Sequence, residues 1–134
     1  MSPRDLLGTW TLARTIDDRL AGEQLTVDGE TVLTDEPDGR VRWAESGTLH
    51  RRGADLPVTR VLFVEPRDDG WFVTFDDGRD FHPWSPDERV VHPCGADTYA
   101  GRVTPVDDDH WAVEWQVSGP AKDYTMVSDL TRRG

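Results

Sequence analysis

HWAVEWQVSGPAKDYTMVSDL, residues 110–130, alternates apolar and polar side chains on both sides of a Gly-Pro break. Trp111, Val113, Trp115 and Val117 fall on one face of the first arm, opposite His110, Ala112, Glu114 and Gln116. Successive residues of a strand point to opposite faces, so this spacing describes a half-buried β-strand. A helix, turning about 100° per residue, would scatter the same four apolar residues around its circumference. Beyond the Gly119-Pro120 turn, Lys122, Tyr124 and Met126 share a face of the next strand. The segment predicts a hairpin, and the rest of the chain repeats its logic.

Turn signals recur at Asp28-Gly29, Asp38-Gly39, Asp69-Gly70, Asp77-Gly78 and Ser118-Gly119-Pro120, with short β-rich runs between them. Such punctuation is that of an all-β sandwich or barrel. Strands are expected near 8–16, 23–34, 40–50, 58–65, 71–76, 79–84, 88–93, 97–104, 110–118 and 122–132, and only Pro3 to Leu7 suits a short helix. Consecutive hairpins leave exposed sheet edges, and closure into an up-and-down barrel removes them. The expectation is one domain over residues 1–134, a closed antiparallel barrel of about eight to ten strands.

Composition narrows the function classes. The formal net charge of -11 disfavours nucleic acid and anionic membrane surfaces as partners. Acidic pairs and runs at Asp17-Asp18, Asp68-Asp69, Asp76-Asp77 and Asp107 to Asp109 read as solvated loop tips. A single cysteine makes no internal disulfide, and no apolar segment of signal or spanning length occurs, so a cytoplasmic setting is expected. Fourteen arginines against one lysine suggest a GC-rich bacterial genome. Six tryptophans supply large rigid surfaces for a core or a ligand cavity.

Alternation also assigns faces to the candidate site residues. In the third strand Glu45 falls among Val41, Trp43 and Leu49, a carboxylate on an apolar face. A two-residue Asp77-Gly78 turn would pair Asp76 with Arg79, Val73 with His82 and Trp71 with Trp84. That puts His82 on the face of Trp71, Val73 and Phe75. Arg60 alternates with Leu62 and Val64, and Tyr99 with Gly101 and Val103. Lys122 alternates with Tyr124 and Met126. Glu45, Arg60, His82, His92, Tyr99, Lys122 and Tyr124 are therefore the candidate ligand-binding residues. Each has an ordinary alternative as an ion pair or a space-filler. Together they are more polarity than a core this size holds unless it faces water or a ligand. The solitary lysine suggests a need for a compact ammonium, or for a pKa that burial lowers.

His82, His92 and Cys94, with Asp97 nearby, are zinc ligands by type, but their spacing matches no known pattern and no metal is expected. Cys94 as a nucleophile activated by His92 is a minor option, and so is haem ligation by His82 or His92. No cofactor is expected.

Gly8-Thr9-Trp10, on the first strand, resembles the Gly-x-Trp signature of lipocalins and the wider calycin group. The resemblance implies a tryptophan plugging one end of the barrel, covered by an arginine of the last strand: Arg132, or Arg133 as a near alternative. "DGRDFHPW", "VHPCGADTYAG" and "GPAKDY" are similar to the motifs of a small, uncharacterised calycin-like family found mainly in bacteria. That resemblance implies a barrel and no particular activity. The expected function is binding of a small organic molecule, anionic in one version, in an aromatic cavity with basic and hydroxyl groups. The alternative is a cofactor-independent isomerase, cyclase or hydrolase using acid–base residues of the same cavity. No residue is assigned as catalytic, and the oligomeric state is left open.

Overall fold

A computed structural model describes residues 1–133. A 3-10 helix, Pro3–Leu6, precedes ten strands: β1 (Gly8–Asp18), β2 (Glu23–Asp35), β3 (Val41–Arg51), β4 (Ala54–Arg67), β5 (Gly70–Phe75), β6 (Asp80–Pro83), β7 (Arg89–Cys94), β8 (Asp97–Asp107), β9 (His110–Gly119) and β10 (Lys122–Arg132). Ser2 caps the helix reciprocally: its hydroxyl accepts from the Arg4 N–H, and the Asp5 carboxylate accepts from the Ser2 N–H.

All ladders are antiparallel, in the order β6-β5-β4-β3-β2-β1-β10-β9-β8-β7. Every pair is a hairpin between sequence neighbours except β1 with β10, where Trp10 faces Arg132 and Asp18 faces Tyr124. The sheet curls into a barrel whose last gap, between β6 and β7, carries no ladder. Side chains seal it: the Phe81 ring of β6 lies 5.3 Å from the His92 ring of β7. The intervening loop is tied to β8, with the Asp87 N–H donating to the Val103 carbonyl and Arg102 donating to the Asp87 carbonyl. Both strands of this seam contain a His-Pro step. Proline lacks a ladder donor, so Pro83 and Pro93 keep these edges from recruiting another strand.

The strands match the expected set closely. β4 is longer at both ends, because tight turns at Arg52-Gly53 and Asp68-Asp69 pair Arg51 with Ala54 and Arg67 with Gly70. Two turn readings are corrected. Asp28-Gly29 lies inside β2, where Gly29 faces Gly47 of β3. A Cβ on Gly29 would stand 2.1 Å from the Ser46 carbonyl oxygen, so the glycines let two bent strands approach at a barrel corner. At Asp77-Gly78 the loop has three residues, with Phe75 bonded to Arg79 and Gly78 at φ +90. Thr74 thus pairs with Asp80 instead of Asp76 pairing with Arg79, and a bulge restores Val73 opposite His82. The bulge buries two consecutive side chains, Phe81 and His82.

The core fills one end of the barrel. Trp10, Trp43, Trp84 and Trp111 pack edge-on or tilted, with centroids 5.5 Å apart for Trp43 and Trp111 and 5.9 Å for Trp10 and Trp111. Leu33, Val41, Val64 and Leu130 complete this plug. The Trp10 indole N–H donates to the Leu6 carbonyl, and the Arg132 guanidinium lies 4.2 Å from the Trp10 ring while donating to Leu7. This is the pairing that the lipocalin resemblance implies for Trp10 and Arg132; Arg133 instead pairs with Glu30. Toward the other end, Ile16, Leu49, Val58, Tyr99, Tyr124 and Met126 are only half-buried.

Candidate functional site

Inward alternation along three strands, β1, β3 and β4, brings three charges to mid-barrel. Glu45 of β3, 6% exposed, accepts from Nη2 of Arg14 (β1) at 3.0 Å on both oxygens. Nη2 of Arg60 (β4), facing Glu45 across the β3–β4 ladder, lies 3.1 Å from Oε1. Arg14 is also held through Nε, which donates to the buried Ser128 hydroxyl of β10 at 2.7 Å. Burial alone would raise the Glu45 carboxyl, but the Arg60 and Arg14 guanidiniums outweigh it and hold the group below its ordinary value. Burial lowers the Arg14 guanidinium, against the pull of Glu45. Two guanidiniums facing one carboxylate leave an excess of one positive charge.

Beside this cluster a cavity of about 230 Å³ opens toward the half-buried end. Leu12, Val27, Val58 and Met126 form its apolar walls; Arg14, Glu45, Arg60 and Tyr124, with Ser46 and Thr59, are the polar side chains of its lining. The Arg60 side chain is 34% exposed, yet its Nε is buried without a hydrogen-bond partner. A further concavity, bordered by Arg89, Arg102, Glu114 and Gln116, lies among exposed side chains on the outer face of β7–β9, away from these charges.

Of the candidate residues, Glu45, Arg60 and Tyr124 therefore share the cavity. Tyr99 and Lys122 are not in its lining but neighbour Tyr124: the Lys122 ammonium donates to the Tyr99 hydroxyl at 2.9 Å and lies 3.2 Å from Asp97. Burial raises the Tyr124 phenol, with neighbouring Tyr99 adding to the shift. The expectation that burial lowers the Lys122 pKa is corrected. Its side chain is 42% exposed, and hydrogen bonds to Tyr99 and Asp97 raise its pKa and hold it protonated.

His82 and His92 belong to an aromatic wall under the β6–β7 seam instead of the charged cavity. The His82 ring is 4.7 Å from Phe81 and 5.1 Å from Trp115. Burial pushes its pKa down to about 4, so the ring is neutral at pH 7, with Nδ1 2.8 Å from the Pro83 carbonyl oxygen. A neutral ring donates there through Nδ1–H and keeps Nε2 as an acceptor. Cys94 is exposed at the end of β7. Among the described residues, no three His, Cys, Asp or Glu side chains gather as metal ligands.

Arg14 was legible and missed. Its alternation with Trp10, Leu12 and Ile16 places it inward by the same rule that placed Glu45 and Arg60.

Fold and site define a small antiparallel barrel, packed solid at one end, charged at its middle and hollow toward the other end. The chain belongs to the family of unknown function DUF6314, whose sequence model matches residues 6–132. No functionally curated protein matches its sequence significantly. Among solved structures it is similar to the S-type phycobiliprotein lyase CPES from Guillardia theta, with a TM-score of 0.68, 13% identity, and coverage of 100% of this chain and 94% of that one. It is also similar to a redesigned β-barrel, mFAP1, solved bound to DFHBI, with a TM-score of 0.55, 16% identity and 98% coverage of each chain. A second redesigned barrel bound to DFHBI, mFAP0, aligns with a TM-score of 0.54 at 18% identity over 96% of this chain and 99% of that one. At these identities the likeness concerns the fold.

Proposed function

We propose that this protein binds a small organic molecule, anionic overall, in the cavity between the Arg14–Glu45–Arg60 cluster and the open end of the barrel. The observation that carries the reading is that cavity: apolar walls with convergent polar groups and an excess positive charge inside a strongly acidic protein. Its volume lies below the roughly 300–1,000 Å³ usual for drug-sized ligands, which favours a compact molecule. The similarity to barrels solved with bound DFHBI supports the same reading as an analogy of fold.

Binding is favoured over acid–base catalysis by the state of the ionisable groups. Glu45 is engaged by two guanidiniums, and Lys122 is held protonated, so neither is poised to exchange a proton near neutral pH. Within this reading the protein works in the cytoplasm, where the exposed Cys94 thiol stays reduced.

Native mass spectrometry of the purified protein tests the proposal. A small organic species that leaves on collisional activation, and is lost from an Arg60→Met variant, is the expected result. Protein that carries no such species, and gains none on incubation with a cell metabolite extract, would overturn it.

A further inference from the structure

We infer that the group recognised in this cavity is a monocarboxylate, carried on a short apolar body and seated on the Nε edge of Arg60. The inference rests on the proposed binding site and deepens it. The two arginines are not equivalent. Arg14 is committed to Ser128 through Nε and to Glu45 through Nη2, and its side chain is only 10% exposed. It works as a clamp. Arg60 gives Nη2 to Glu45 and has no partner for its buried Nε. Nε and Nη2 form one planar edge of a guanidinium, the edge that matches the two oxygens of a carboxylate. Nε is sealed from solvent, so a ligand oxygen reaches it when the one-third-exposed Arg60 side chain turns toward the cavity, and it then satisfies a donor whose isolation is otherwise costly.

Charge selects among anions. One excess positive charge is neutralised by one negative charge. A phosphate monoester, carrying close to two charges at neutral pH, would leave an uncompensated anion beside Glu45, where burial strengthens the repulsion. Leu12, Val27, Val58 and Met126 then select a largely apolar body, since away from the cluster the walls offer only the hydroxyls of Ser46, Thr59 and Tyr124.

Three probes with one body and different heads test this: hexanoate, hexan-1-ol and hexyl phosphate. Each is titrated at about 0.15 M salt, which screens the long-range repulsion from the acidic surface. Methyl resonances of Leu12, Val27, Val58 and Met126 report binding in the cavity. The expected result is that hexanoate binds at least about tenfold tighter than the other two, the minimum that a charge-assisted hydrogen bond supplies. Arg60→Met should erase that preference, and Arg60→Lys should restore part of it. Equal binding of hexanoate and hexan-1-ol would overturn the carboxylate inference but leave a cavity that binds small molecules. Tighter binding of hexyl phosphate would overturn the monoanion and leave the anion site. A preference that survives Arg60→Met would overturn the role of Arg60. If none of the three shifts those methyls, both the inference and the proposed binding site fail.

Discussion

Replacing Glu45 by glutamine keeps the side-chain shape and removes the charge that balances two guanidiniums. Arg60 is one-third exposed and turns toward water at modest cost; Arg14, 10% exposed and fixed by Ser128, does not. Breaking a buried ion pair by removing one partner costs about 3–5 kcal/mol. The glutamine oxygen retains a hydrogen bond from Arg14, so the lower end, about 3 kcal/mol, is expected. For a chain of this size that lowers Tm by about 10 °C. Urea unfolding followed by tryptophan fluorescence at neutral pH measures it, with Glu23→Gln as the control. Glu23 pairs with Arg51 at 3.1 Å, but both side chains are more than 40% exposed, and such surface pairs contribute less than about 1 kcal/mol. The carboxyl of Glu45 lies below its ordinary value in the folded state. Its contribution is therefore complete above about pH 4.5 and fades as the pH falls through the folded value. Parent and variant should converge in acid. If Glu45→Gln costs no more than Glu23→Gln at neutral pH, the cluster is effectively solvated, and the charge argument for a buried anion site is refuted with it.

Two more outcomes are expected. A Cβ on Gly101 would sit 2.5 Å from Cε3 of Trp115, which folds over the glycine from the adjacent strand, so Gly101→Ala should cost about 1–3 kcal/mol in urea unfolding. Gly70→Ala meets open space and should stay within about 0.5 kcal/mol; equal costs for the two variants would contradict this packing. His82 titrates near 4 when folded against 6.5 ordinarily, so the unfolded chain takes up the proton first as pH falls. Its contribution is complete above about pH 6.5 and declines toward pH 4 by up to about 3 kcal/mol. His82→Phe should flatten the stability–pH curve across that window, and superimposable curves for parent and variant would contradict the buried, neutral histidine.

Period-two alternation carried most of what was legible in the sequence. It put Glu45, Arg60, Tyr99 and Tyr124 on inward faces correctly, because a strand offers each side chain only two directions. It could not tell which end of the barrel is packed and which is hollow. That depends on four tryptophans, from β1, β3, β9 and the residue just after β6, meeting at one level, a product of strand stagger around the barrel. The misread dipeptides fail for a related reason. Asp28-Gly29 has turn composition, yet its glycine serves close approach to Gly47, and a glycine's local signal is the same in both uses. Of the two readings of the solitary Lys122, a compact ammonium or a pKa lowered by burial, the second fails, because Asp97 and Tyr99 hold the ammonium at an exposed position.

The β1–β10 ladder sets this chain's folding problem. Eight of its nine ladders join strands that are consecutive in sequence and can zip from a local turn, each on the timescale of a hairpin. The ninth joins the first strand to the last, and Trp10 meets Arg132 only after the whole meander is in place. Closing so long a loop costs entropy before its contacts return anything, so this docking step is the natural bottleneck in folding. On the ribosome β1 must wait, one edge unpaired, until β10 has emerged. The polar, charged exterior of β1, with Thr11, Thr15 and Asp17 facing out, suits a strand that spends that interval beside water.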